Sequence, residues 1–143
     1  MTYKIFVPID GSDSALRALA HATKLAQRLG NCRIIVAHAH EEPIIYGEIA
    51  VYVPLATMQQ MQRAHSESVL EGAEAQLKGA GVPYDKEILT GPIAQVLAER
   101  AKDLGCDAIV MGTHGSTAIG NMLMGSIATK IVHLSSIPVT LVR

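Results

Sequence analysis

Short apolar runs alternate with amphipathic stretches along the whole chain. Ile5-Phe6-Val7 is a β-branched and aromatic run ending at Pro8-Ile9-Asp10-Gly11, where proline and glycine close a strand. Ser12 or Asp13 supplies the cap of a helix predicted to reach Leu29 and stop at Gly30-Asn31. A short polar side chain satisfies the first free amides, and glycine tolerates the left-handed stop. Leu16, Leu19, Ala20, Ala22, Leu25, Ala26 and Leu29 form its apolar stripe, repeating with helical period. Ile34 through His38 is a second apolar run without charge, the pattern of a parallel strand buried on both faces. Residues 39–54, with Pro43, Gly47 and Pro54, are predicted as a loop longer than most connections.

A second helix is predicted from Leu55 to Leu77, ended by Gly79-Ala80-Gly81. Tyr84 to Leu89 is a weaker strand carrying Asp85, Lys86 and Glu87, and charges of that density mark a sheet edge. Gly91-Pro92 opens a third helix with stripe Ile93, Val96, Leu97, Ala101 and Leu104, stopped by Gly105; proline is tolerated in a first helical turn. Ala108 to Met111 is a fourth strand, Gly112 to Gly125 a glycine-punctuated loop, Ser126 to Leu134 a last helix, and Pro138 to Val142 a fifth strand. Strict alternation of strand and helix implies an α/β fold, an open five-stranded parallel sheet with helices on both faces. Right-handed crossovers, a charged third strand at one edge and apolar first and fourth strands in the centre favour the order 3-2-1-4-5. The winding direction then reverses between strands 1 and 4, and ligands of open α/β sheets bind beyond the carboxyl ends of the strands at such a switch point.

Composition narrows the classes. A chain of 143 residues is expected to be one domain, residues 1–143, of a size that sustains a core without staples. Hydrophobic residues are 49% and charged residues 17%, which excludes a disordered chain. Twelve basic against 13 acidic residues leave a net charge of −1, so nothing points to a nucleic-acid surface or an anionic membrane. Aromatics are 3% of the chain, against a base-stacking platform. Cys32 and Cys106 make no disulfide framework and read as buried free thiols of a reducing compartment. Met1-Thr2-Tyr3-Lys4 runs straight into a strand-like segment, with no signal peptide and no span of membrane length. A cytoplasmic protein is expected.

The candidate chemistry concentrates at the switch point, where Pro8-Ile9-Asp10-Gly11 meets the loop from Gly112. Gly112 and Gly115 let backbone approach a ligand closely, and Gly125-Ser126-Ile127 opens a helix whose amides and dipole favour phosphate. No G-x-x-x-x-G-K-[ST] and no G-x-G-x-x-G after the first strand is present, so neither a P-loop lysine nor a dinucleotide fingerprint operates. Neither segment holds Lys or Arg, and Lys130 lies one turn into the last helix. Phosphoryl transfer relies on cationic stabilisation of the γ-phosphate, so binding with slow or absent hydrolysis is expected.

The pattern Gly112-x2-Gly115-x9-Gly125-Ser126 resembles the ATP-binding signature of the universal stress protein family. Ile5 through Ser12 and Ser136 through Val142 are similar to that family's first strand with its acidic turn and to its last strand, so the resemblance spans the chain. It implies that Asp10 contacts the ribose or a metal-bridged phosphate, with Pro8 and Ile9 beside the base. It implies that backbone groups at Ala37 and His38 read adenine. Met111, Gly112, His114 and Gly115 would line ribose and phosphates, and Gly125, Ser126 and Ile127 would hold the phosphates. ATP is the implied ligand, with Mg²⁺ or Mn²⁺ as its companion ion, and a homodimer through the strand Pro138–Val142 is the implied assembly, serving an unknown regulatory protein partner. The alternatives are a slow ATPase or autokinase on the same site and a nucleotide-free dimeric interaction module.

Two further constellations of reactive side chains stand in the sequence. His38-Ala39-His40-Glu41-Glu42 carries zinc-ligand chemistry but needs a third ligand, such as His114 across the crevice; it reads better as a polar strand end. Ser12, Ser14 and Ser126 with His114 lack the G-x-S-x-G elbow of a hydrolase. His21, His65 and His133 fall on predicted helices at no metal spacing and read as surface or helix-end residues.

Overall fold

In a computed structural model of the chain, describing residues 1–42, 53–114 and 124–143, the elements run β1 (Tyr3–Pro8), α1 (Asp13–Leu29), β2 (Cys32–His40), α2 (Leu55–Ala80), β3 (Tyr84–Thr90), α3 (Ile93–Asp103), β4 (Ala108–Gly112), α4 (Ser126–Leu134) and β5 (Val139–Val142). The strands form one parallel sheet in the order β3-β2-β1-β4-β5, as the alternation predicts. Because side chains alternate across a strand, Ile5, Val7, Ile34 and Val36 pack with α1 and α2, while Phe6, Ile35, Ala37, Ile109 and Met111 pack with α3 and α4. The parts of the expected 39–54 and 112–125 loops that fall at 43–52 and 115–123, Gly115 among them, lie outside the described residues.

Four local readings change. Ala39 and His40 belong to β2 rather than to a loop: they pair with Leu89 and Thr90 of β3, and the Gly91 amide donates to the His40 carbonyl at 2.9 Å. The strand lasts as long as its partner supplies the ladder. Helix α2 runs to Ala80, with Gly81 as its left-handed cap, and Pro92 stands just before α3 rather than in its first turn. The buried face of α1 is rotated from the leucine stripe, with Ser14, Ala15, Ala18, Leu19, Ala22, Thr23 and Ala26 facing inward. Ala20 is exposed and Leu29 half exposed. Small residues face the sheet because α1 lies close upon it. A Cβ on Gly112 of β4 would fall 2.8 Å from the Ser14 carbonyl carbon and 2.9 Å from its Cβ.

The three charges of β3 are paired, one to each neighbouring element. Asp85 accepts from Nε and Nη2 of Arg33 on β2 at 2.5 and 2.7 Å, Lys86 meets Glu74 of α2 at 3.1 Å, and Glu87 accepts from Arg100 of α3 at 2.8 Å. These pairs protect an edge strand and tether it. The Arg33 guanidinium holds the Asp85 carboxyl below its ordinary value. The pair is largely exposed, so Asp85→Asn is expected to cost about 0.5 kcal/mol near neutrality. A depressed carboxylate stabilises the fold only while ionised. The difference between variant and wild type is therefore present above the unperturbed aspartate value and fades as pH falls through the lower folded one. Urea unfolding of both proteins at neutral and acid pH checks this; a constant difference would mean the charge is not its source.

Candidate functional site at the sheet switch point

The carboxyl ends of β1 and β4 lie side by side, with Ile5 and Phe6 in register with Ala108 and Ile109. Beyond β1, Asp10 is exposed, and one carboxylate oxygen accepts the Ser12 amide at 2.9 Å. This turn delivers the chain into α1, where the Ser12 hydroxyl caps the Ala15 amide at 3.1 Å. Beyond β4, Thr113 and His114 continue past the sheet. The Ser12 hydroxyl reaches the His114 carbonyl at 3.5 Å, and the Thr113 hydroxyl lies 2.9 Å from His114 Nδ1. The Thr113 amide donates to the Val142 carbonyl at 2.9 Å, and the Thr113 carbonyl accepts the Gly125 amide at 2.5 Å. That last bond fixes the start of α4 to the end of β4.

Helix geometry leaves the amides of Ser126, Ile127 and Ala128 without intrahelical acceptors, and the Thr129 amide is the first to return to Gly125, at 3.1 Å. Ser126 is exposed, while the Ile127 side chain packs into the core beneath α4. The sequence-selected residues thus divide by what they offer. Ile9, Ala37 and Met111 are buried in the two cores, and Gly112 has no side chain, so these residues and Ile127 offer backbone to the crevice. Pro8 is half-buried. Asp10, His114 and Ser126 offer side chains. Lys130 is exposed on the second turn of α4.

At the β2 end the ladder resolves which backbone groups face which way. The Ile9 amide donates to the Ala37 carbonyl at 2.7 Å, whereas the His40 carbonyl takes the Gly91 amide on the β3 side. Backbone groups alternate along a strand, so His38 faces β3, and Ala39 is the next residue turned toward β1, where β1 has already ended. Ala39 was missed in sequence because an alanine in a presumed loop carries no signal. Thr113 and Ser66 carry no sequence signal for the same kind of reason: each acts through a hydrogen bond to an element distant in sequence.

The His38 side chain points to the α1–α2 side. Its Nδ1 lies 2.8 Å from the hydroxyl of Ser66, a residue with no exposed surface. His40 and His65 rings stand 6.4 and 5.9 Å from the His38 ring. Burial pushes the His38 imidazole down, His65 and His40 push it the same way, and Asp10 opposes them. Among the described residues no three His, Cys, Asp or Glu side chains form a group able to hold a metal ion, so the third ligand the His38–His40 pair would need does not arrive there. Cys32 and Cys106 are free and buried, and burial raises the Cys106 thiol to about 11, which makes it a poor nucleophile. No helix among the described residues is long and apolar enough to cross a membrane.

Known proteins share this fold. A universal stress protein of Thermus aquaticus, found in the 3′ region of a QAH/OAS sulfhydrylase, is 38% identical over 141 residues, 97% of each chain. The UspA protein of Lactobacillus plantarum superimposes with a TM-score of 0.84 over 99% of this chain and 97% of its own, at 22% identity, and shares the fold. A universal stress protein crystallised in complex with cAMP superimposes with a TM-score of 0.68 at 25% identity, over 99% of this chain and 97% of its own. The family model of the universal stress proteins matches residues 1–143, from the first strand with its acidic turn to the last. The chain belongs to the universal stress protein family.

Proposed function

We propose that residues 1–143 form one nucleotide-binding domain that takes ATP at the switch point and acts in the cytoplasm as a dimeric, nucleotide-dependent regulator of the stress response, with little or no hydrolysis. The observation that carries this is the bond from the Gly125 amide to the Thr113 carbonyl. It sets a helix N-terminus against the end of β4, beside the turn that holds Asp10. The donor set suits an adenine nucleotide. Three α4 amides and the Ser126 hydroxyl form an anion cradle, the Asp10 carboxylate accepts from ribose hydroxyls, and a β2 backbone donor and acceptor match the adenine edge. The cAMP complex of a relative supports the same base. Mg²⁺ or Mn²⁺, when bound with the phosphates, supplies the positive charge that neither binding segment contains.

Adenine presents an acceptor beside an amino donor where guanine presents a donor beside a carbonyl. A strand-end amide and carbonyl that fit the first therefore confront guanine donor to donor and acceptor to acceptor. Leaving one such polar group unpaired costs about 1–3 kcal/mol. ATP is accordingly expected to bind at least about tenfold more tightly than GTP. Calorimetric titration with both nucleotides tests it; equal affinities would remove the strand end from base recognition.

Dimerisation through β5 rests on the edge itself. In one copy of the chain β5 has β4 on one side only, and Val139, Thr140, Leu141 and Val142 carry no charge to guard the other. Pairing with the same strand of a second copy satisfies that row of polar groups about a two-fold axis. Replacing both Thr140 and Val142 with Lys, which keeps the amides that face β4 and sets like charges across the two-fold, should yield folded monomers by light scattering. A wild type monomeric at micromolar concentration, with or without ATP, would exclude the assembly.

A further inference from the structure

Helix α2 is held to the sheet along only part of its length. Its buried positions are Ser66, Leu70, Ala73 and Leu77, and none of residues 55–65 is buried. Ser66 is therefore the first buried residue of the helix, and its hydroxyl is bonded to His38 Nδ1. One turn earlier, the Gln62 side-chain amide donates to the Glu41 carbonyl at 3.2 Å, while the Gln62 side-chain oxygen is buried with no partner among the described residues. The boundary between the docked and the overhanging halves of α2 thus falls on a buried histidine flanked by two others.

We propose that the His38–His40–His65 cluster makes the docking of α2 at Ser66, where its buried stretch begins, proton-sensitive, held at neutral pH and released in acid. With the ring neutral, the Ser66 hydroxyl and Nδ1 form a complete bond inside a buried contact. A proton on His38 makes both ring nitrogens donors and places a charge in a buried contact beside two further imidazole rings. The groups facing the ring come from each packed element: His40 on β2, His65 and Ser66 on α2, and Asp10 beyond β1. From β3 the register partner of His38 is the uncharged Ile88. Asp10 is the only one of these that favours the imidazolium, and burial outweighs it. Arg63 and Glu67, on the same stretch of α2, pair with each other at 3.5 Å and offer the ring no net counter-charge.

The sign follows from linkage. A histidine depressed in the docked state prefers to bind its proton when released, so docking is strongest above the ordinary histidine value and weakens as pH falls below it. Hydrogen exchange of the full chain without nucleotide, corrected for intrinsic rates, tests this at about pH 7.5 and about pH 5.5. Amides of residues 58–70 are expected to lose protection by up to about tenfold at the lower pH, the limit for one proton one unit below 6.5, while β1 and β4 keep theirs. In His38→Asn, which keeps a polar atom toward Ser66 but does not titrate, the loss should vanish. If that variant fails to fold, His65→Gln on the exposed face should shrink it. Equal protection at both pH values, a loss shared by β1 and β4, or a loss of wild-type size in the variant overturns the proposal.

Discussion

Gly125→Val is expected to lower affinity for ATP by about a hundredfold or more while leaving the fold intact. Gly125 stands at the head of α4 with φ −73° and ψ 166°, extended backbone that valine adopts freely. Its amide bond to the Thr113 carbonyl is retained, so the helix stays where it is. The branched side chain instead crowds the approach to the amides of Ser126, Ile127 and Ala128. Hydrogen bonds to a charged group contribute about 1.5–3 kcal/mol each, and losing two of them corresponds to about a hundredfold or more. Calorimetry reads the affinity and urea unfolding the stability. Normal ATP binding by this variant would mean that the phosphates sit elsewhere.

Gly112→Val is expected to act on the fold itself, lowering stability by about 3 kcal/mol, the upper end of overpacking costs. Gly112 is not among the glycines of positive φ, so its backbone is not what requires glycine. The space is: the absent Cβ would meet the carbonyl carbon and Cβ of Ser14 at 2.8 and 2.9 Å. The first turn of α1 is fixed there by the Ser12 cap and by Ser14, whose hydroxyl reaches the Val142 carbonyl at 3.4 Å. It has little freedom to retreat. Ser14→Gly should return part of the loss in the double variant, because it removes the colliding Cβ and hydroxyl of Ser14 and leaves only the backbone contact. Urea unfolding of the four proteins gives the coupling. Independent effects would show that α1 moves aside, and a wild-type stability for Gly112→Val would remove the contact from the energetics altogether.

These two glycines mark where the sequence is legible and where it is not. Both belong to the spacing that resembles a nucleotide signature, and sequence alone gives them one reason, room for a ligand. Gly112 has a second reason in Ser14, 98 residues earlier in the chain, and no local pattern reports such a contact. The sheet order was readable because β3 advertises its edge with Asp85, Lys86 and Glu87, while β1 and β4 are apolar throughout their centres. What those charges do was not readable, since Arg33, Glu74 and Arg100 are partners only once the fold exists. The apolar stripe of α1 includes the buried Leu19, Ala22 and Ala26 but omits Ala15 and Ala18, because leucine weighs more than alanine in a hydrophobic pattern while close helix-on-sheet packing selects small residues. Ala39 and His40 were given to a loop because the apolar run ends at His38, whereas the strand is prolonged by its pairing with Leu89 and Thr90. His65 read as a surface residue, and it is exposed; its ring contact with His38 depends on how α2 lies across β2.

The central claim, that an adenine nucleotide binds where β1, β4 and α4 meet, is tested most directly by following backbone amide resonances of the full chain as ATP is added. The expected shifts fall on Asp10 to Ser12, Ala39, Met111 to His114 and Ser126 to Ala128, saturating together. Shifts centred on the helix faces or on β3, or no shifts at ATP concentrations of about 1 mM, far above the micromolar range of a specific small-molecule site, would contradict it.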